Sequence, residues 1–69
     1  MNKFAERLKE LRKEKKLSQS ELSKMLNGKV TRAAISLWEA NKRVPNLDVV
    51  IMFATFFGVS LDYMAGLED

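Results

Sequence analysis

Apolar side chains recur along this chain three and four residues apart, the period of a helix buried along one stripe. Phe4, Leu8 and Leu11 fall at i, i+4 and i+7 and predict a first helix from about Lys3 to Lys15. Lys16 stands where a helix commonly closes on glycine, so a slightly strained cap is expected there. Ser18 and Glu21 spell S-x-x-E, a capping box that starts a second helix with Leu22, Met25 and Leu26 as its expected buried stripe. Asn27-Gly28 ends that helix, because glycine accepts the left-handed conformation that a helix terminus favours.

Thr31 is a good N-cap for a third helix reaching about Ala40. With Ile35 taken as the inward direction, Trp38 and Glu39 fall on the same side, while Ala33, Ser36, Leu37 and Ala40 point away and Arg32 occupies the first turn. Asn41 can take the left-handed cap. Asn46 caps a fourth helix, Leu47 to Phe57, closed by Gly58; Ser60 caps a short fifth, Leu61 to Ala65, closed by Gly66.

The fourth helix is apolar nearly all round, which a small domain cannot bury completely. Val49, Met52, Phe53, Phe56, Tyr63 and Met64 are therefore divided between the core and an isologous contact with a second copy of the chain. Which of them cross to a partner the pattern leaves open.

Charge changes the picture. The net +3 conceals a division: residues 1 to 43 carry all 12 Lys and Arg against five acids, a net of +7, whereas residues 44 to 69 carry four acids and no base. One half suits a polyanion and the other would be repelled by it. Within the first helix, Arg7, Lys9 and Lys13 alternate with Glu6, Glu10 and Glu14, which reads as a solvated face.

The 69 residues are expected to form one domain, 1 to 69, near the size at which a single core needs help from a partner. With Cys 0 and His 0, disulfides and the usual zinc ligands are ruled out, and no metal or other cofactor is expected. No Gly-rich phosphate loop is present and the acids sit in surface or capping positions, so the chain does not read as an enzyme. No apolar run approaches the length of a membrane span, and the basic start lacks a signal-peptide core, which favours a soluble cytoplasmic protein.

A short helix, a turn and a second helix with an outer face of small and basic residues are the parts of a helix-turn-helix, in which the second helix enters the DNA major groove. The chain resembles the Cro and phage-repressor type of helix-turn-helix domain, the XRE family. The resemblance runs through F-x-x-R-L-K-x-L-R, L-S-Q-x-E-L, I-S-x-W-E, N-K-R-x-P-x-L and F-G-V-S-L-D-Y, nearly the whole chain. It implies a five-helix, all-α fold, a bacterial or phage-encoded protein at the nucleoid, and a homodimer that represses transcription from a palindromic operator.

Carried across, the resemblance makes Arg32, Ala33, Ser36 and Leu37 the base-reading set, and Gln19 a phosphate anchor joined by Ser18, Lys29, Thr31, Lys42 and Arg43. It makes Arg12 and Glu39 a largely buried ion pair bracing the first helix against the third. Arg32 could take guanine O6 and N7, whereas Ala33 and Leu37 could only pack on thymine methyls. Specificity should then lean on DNA shape. The segment Asn27-Gly28-Lys29-Val30 is about two residues longer than the turn of many relatives, so the register of the reading set is its least constrained feature. Two alternatives stand beside this reading: a protein-interaction module of the antitoxin or anti-repressor kind, and the N-terminal DNA-binding domain of a longer repressor.

Overall fold

The computed structural model describes residues 2–68 and contains five helices. They are α1 (Asn2–Glu14), α2 (Gln19–Met25), α3 (Arg32–Glu39), α4 (Leu47–Phe57) and α5 (Leu61–Ala65). No strand occurs among the described residues. The all-α, five-helix expectation is met, with helix boundaries within a residue of those read from the caps.

Side-chain oxygens close the starts of four helices. Ser18, Thr31, Asn46 and Ser60 each accept a hydrogen bond from the backbone N–H three residues on, satisfying a donor that would otherwise be unpaired. At Ser18 the box is reciprocal: the Ser18 N–H donates to Glu21 Oε1 at 2.8 Å, and the Glu21 N–H donates to Ser18 Oγ at 3.0 Å. The Glu21 carboxyl is held below its usual range, first by that backbone N–H and then by the hydroxyl.

Helix ends use the left-handed region. Lys16 (φ 57°), Asn27 (φ 56°) and Asn41 (φ 58°) adopt it without being glycine, as expected for Lys16 and Asn41. Lys16 is the costly one, since its Cβ crowds the following carbonyl and it lacks the short polar side chain that eases asparagine there. Gly66 is required twice over. Its φ is 82°, and a Cβ built on it would lie 2.8 Å from Lys3 Cβ, so the last helix closes hard against the first.

The core is drawn from every helix. Phe4 and Leu8 of α1, Leu22 of α2, Ile35 of α3, Val50 and Phe53 of α4 and Met64 of α5 are all at or below 1% exposure. Burying side chains of this size is worth about 1.5–3 kcal/mol each. Phe53 is the central ring, tilted on Phe4 at 6.1 Å and edge-on to Trp38 at 5.8 Å. Arg7 of α1 lies 4.0 Å over the Tyr63 ring and donates to the Tyr63 carbonyl, tying α1 to α5.

Two expectations about the core are corrected. Met25 is 54% exposed rather than part of the α2 stripe. The Ser23 hydroxyl donates to the Val30 carbonyl at 2.7 Å, which folds the loop after α2 back and delivers Val30, 8% exposed, to the core beside Leu26. Phe53 and Met64, named above as candidates for a contact between copies, are both 0% exposed. They have no surface left for a partner because the core of this chain uses all of it.

Candidate nucleic-acid interface

Helix α3 is held by its neighbours along one stripe. Ala34, Ile35 and Trp38 form its buried stripe, and α1 and α2 both pack on it. The indole Nε1–H of Trp38 is buried with no acceptor among the described residues. At its far end Glu39, its side chain only 4% exposed, receives the Arg12 guanidinium in a two-pronged pair, Nε to Oε2 at 2.7 Å and Nη2 to Oε1 at 2.9 Å. Arg12 Nη1 donates to the Leu17 carbonyl at 2.8 Å, adding the turn before α2 to the same clasp. The bond to Glu39 raises the Arg12 pKa above the ordinary arginine value, partly opposed by burial. Arg12 and Glu39 are thus joined as the resemblance implies.

With that stripe fixed, the opposite side of α3 is determined by the 100° step between residues. Arg32 and Ala33 are exposed, Ser36 and Leu37 half-buried, and Ala40 exposed just past the helix. The set lies on one outer face. Thr31 precedes it, with its hydroxyl accepting the Ala34 N–H at 3.0 Å.

The residues expected at the margins are exposed with one exception. Ser18, Lys29, Lys42 and Arg43 are exposed, and Lys42 is anchored through its backbone N–H to the Leu37 carbonyl at 2.8 Å. Gln19 is half-buried, and its Nε2 donates to Glu39 Oε1 at 3.2 Å. One amide N–H and the carbonyl oxygen of Gln19 have no partner among the described residues. The Arg12–Glu39 pair therefore does more than brace two helices, since it also sets the direction of Gln19.

Two residues here look, from the sequence alone, like ordinary solvated surface. Lys9 and Lys13 of α1 line, with Arg12, Gln19, Ser36, Glu39 and Ala40, a shallow hollow between α1, α2 and α3. Neither lysine is ion-paired among the described residues, although Glu6, Glu10 and Glu14 share their helix. The available signal was the wheel: Lys9, Arg12 and Lys13 fall on one arc, and the three glutamates fall together on the next.

Away from α3 in the chain, Leu47 and Ile51 of α4 are 65% and 42% exposed, and Val44 before the helix is 73% exposed. Val49, Met52, Phe56 and Tyr63 are half-buried. Among the described residues no helix is long and apolar enough to cross a membrane.

A family model described as helix-turn-helix matches residues 8–64. The chain is 38% identical over 66 residues to the HTH-type transcriptional activator BcrR of Enterococcus faecalis, covering 96% of this chain and 31% of that protein. It is 32% identical over 66 residues to the uncharacterized HTH-type transcriptional regulator YobD of Bacillus subtilis, covering 96% and 57% of the two chains. A third relative, the uncharacterized HTH-type transcriptional regulator YqaE of Bacillus subtilis, is 38% identical over 61 residues, 88% of this chain and 51% of its own length. The chain thus spans from just under a third to rather more than half of the length of these relatives. No solved structure gives a significant match.

Proposed function

The chain belongs to the helix-turn-helix family, and from that premise we propose that residues 1–69 act as one sequence-specific, double-stranded-DNA-binding unit of a transcriptional regulator. Helix α3 enters the major groove with Arg32, Ala33, Ser36 and Leu37 toward the bases. Gln19, Ser18, Thr31, Lys29, Lys42 and Arg43 hold flanking phosphates. The observation that carries the reading is the division of α3 itself: Ile35 at 0% and Trp38 at 6% exposure pin its back, leaving a face of small and basic side chains with no acid among them.

The protein acts as a homodimer on a two-fold operator, with half-sites about one helical turn apart. Support for the dimer comes from the apolar outer surface of α4, on the part of the chain that carries no base after Arg43. The working site is the cytoplasm, at the nucleoid. Repression is the regulatory effect, because an occupied operator overlapping a promoter excludes polymerase without further contacts. A relative named an activator favours activation as the second reading, and a promoter-reporter assay with and without the protein separates the two.

The DNA-binding reading is tested by selecting bound duplexes from a random pool and then measuring Arg32→Ala with Gln19→Ala on the selected sequence. Loss of the guanine contact alone should cost about 1–3 kcal/mol of discrimination. Undiminished binding by the double variant would remove α3 and the start of α2 from the interface.

A further inference from the structure

Every DNA contact the resemblance implies lies at the start of α2, in the turn between α2 and α3, on α3 or in the segment after it, and none lies on α1. The hollow between α1, α2 and α3 argues otherwise. Its floor is the Arg12–Glu39 pair, whose charges cancel. What remains at the rim is the positive charge of Lys9 and Lys13, both exposed and neither ion-paired among the described residues. Two like charges four residues apart on a helix repel one another, and an anion between them removes that cost.

The other walls supply donors. Gln19, aimed by its bond to Glu39 Oε1, retains a second amide N–H, and Ser36, which also lines the hollow, has a hydroxyl with no hydrogen bond of its own among the described residues. Two cations and two neutral donors around one concavity match a group with several acceptor oxygens and a full negative charge. We infer that this hollow seats a phosphodiester of the duplex backbone, so that Lys9 and Lys13 make α1 a direct contributor to DNA binding.

The inference rests on the DNA-binding reading and extends it. The phosphate belongs to a duplex rather than to a free anion because the hollow is shallow, and a small ion there would compete poorly with water. A backbone is delivered by its other contacts. Ser36, shared between the hollow and the outer face of α3, makes the two surfaces continuous.

The experiment is the salt dependence of binding to a mixed-sequence duplex, followed by fluorescence anisotropy. Each phosphate contact contributes about 0.9 to the slope of log affinity against log salt. Lys9→Gln with Lys13→Gln should make the slope shallower by roughly that amount and weaken binding by roughly tenfold at moderate salt. Lys9→Arg with Lys13→Arg should retain the native slope. Lys15→Gln with Lys24→Gln removes the same charge outside the hollow and should change the slope less.

Equal changes in the two Gln pairs, or none in the first, overturn the inference while leaving the DNA-binding reading intact. Inorganic phosphate that saturates the Gln19 amide resonance in the absence of duplex, with the slope unaltered by the Gln pair, would also overturn it in favour of a free-anion site. If the unaltered protein binds no duplex at any salt, the functional reading itself falls, and this inference with it.

Discussion

Helices α3 and α4 contribute to one core in the same manner and present opposite surfaces to the outside. Each buries three residues, Ala34, Ile35 and Trp38 on α3 and Val50, Phe53 and Ala54 on α4, and the two stripes meet where Phe53 lies edge-on to Trp38. Outward, α3 shows Arg32, Ala33 and the half-buried Ser36 and Leu37, whereas α4 shows Leu47 and Ile51 flanked by half-buried Val49, Met52 and Phe56. A surface of the first kind keeps its hydration and accepts a charged, wet partner. One of the second kind gains only by being covered with something dry.

The sharpest way to break the comparison is to remove what the two helices share. Phe53→Ala should cost about 3–5 kcal/mol of stability, read by urea unfolding, and should abolish every property of both faces together. A cost under about 1 kcal/mol would mean that Phe53 is not the joint between them.

Arg12→Ala separates the two helices. It leaves the Glu39 carboxylate buried without its cation, with only the Gln19 amide beside it, and should destabilise the fold by about 3 kcal/mol. The damage falls on the α3 side, so duplex affinity should drop under conditions where the protein remains folded by circular dichroism, because Gln19 loses its alignment along with Glu39. Self-association measured under the same conditions should not change.

Ile51→Lys probes the other face alone. The side chain is 42% exposed, so stability should move by no more than about 0.5 kcal/mol. Sedimentation equilibrium should nevertheless show weaker self-association. Unchanged association, or none in the unaltered protein, would remove the proposed contact between copies from the α4 surface.

The smallest effect lies at the start of α2 and concerns pH. The Glu21 carboxyl is held below its usual range by the Ser18 N–H and hydroxyl, so the proton is bound more tightly by the unfolded chain than by the folded one. The stability this contributes is present above the unfolded carboxyl pKa and is lost as the pH falls through the lower folded value. Glu21→Gln should flatten that acid-side slope in thermal unfolding while sparing the neutral-pH helix content.

Caps made most of the fold legible in the sequence. Ser18 with Glu21, Thr31, Asn46 and Ser60 each announce a helix because a short side-chain oxygen at that place has one local task, and the structure assigns each of them that task. The stripe of α3 was equally plain, since Ile35 and Trp38 are three residues apart in a helix with a definite start. Met25 was misplaced because its position depends on a tertiary hydrogen bond, from Ser23 to the Val30 carbonyl, that no spacing encodes. Phe53 and Met64 could not be told from Met52 and Phe56 in a segment apolar on every side, because periodicity carries information only where polar residues interrupt it. The two lysines of the hollow were hidden for a related reason: their neighbour along the surface comes from another helix, and a run of alternating charges looks the same whether or not a wall rises beside it.

The close approach of Gly66 to Lys3 brings the polypeptide nearly back to where it set out. Traced from Lys3 to Gly66, the path is a ring with one narrow gap. Any further sequence fused before the first helix or after the last would therefore leave from a common doorway, and a linker of a few residues could close the circle and open it elsewhere, in a surface turn such as the one around Gly28.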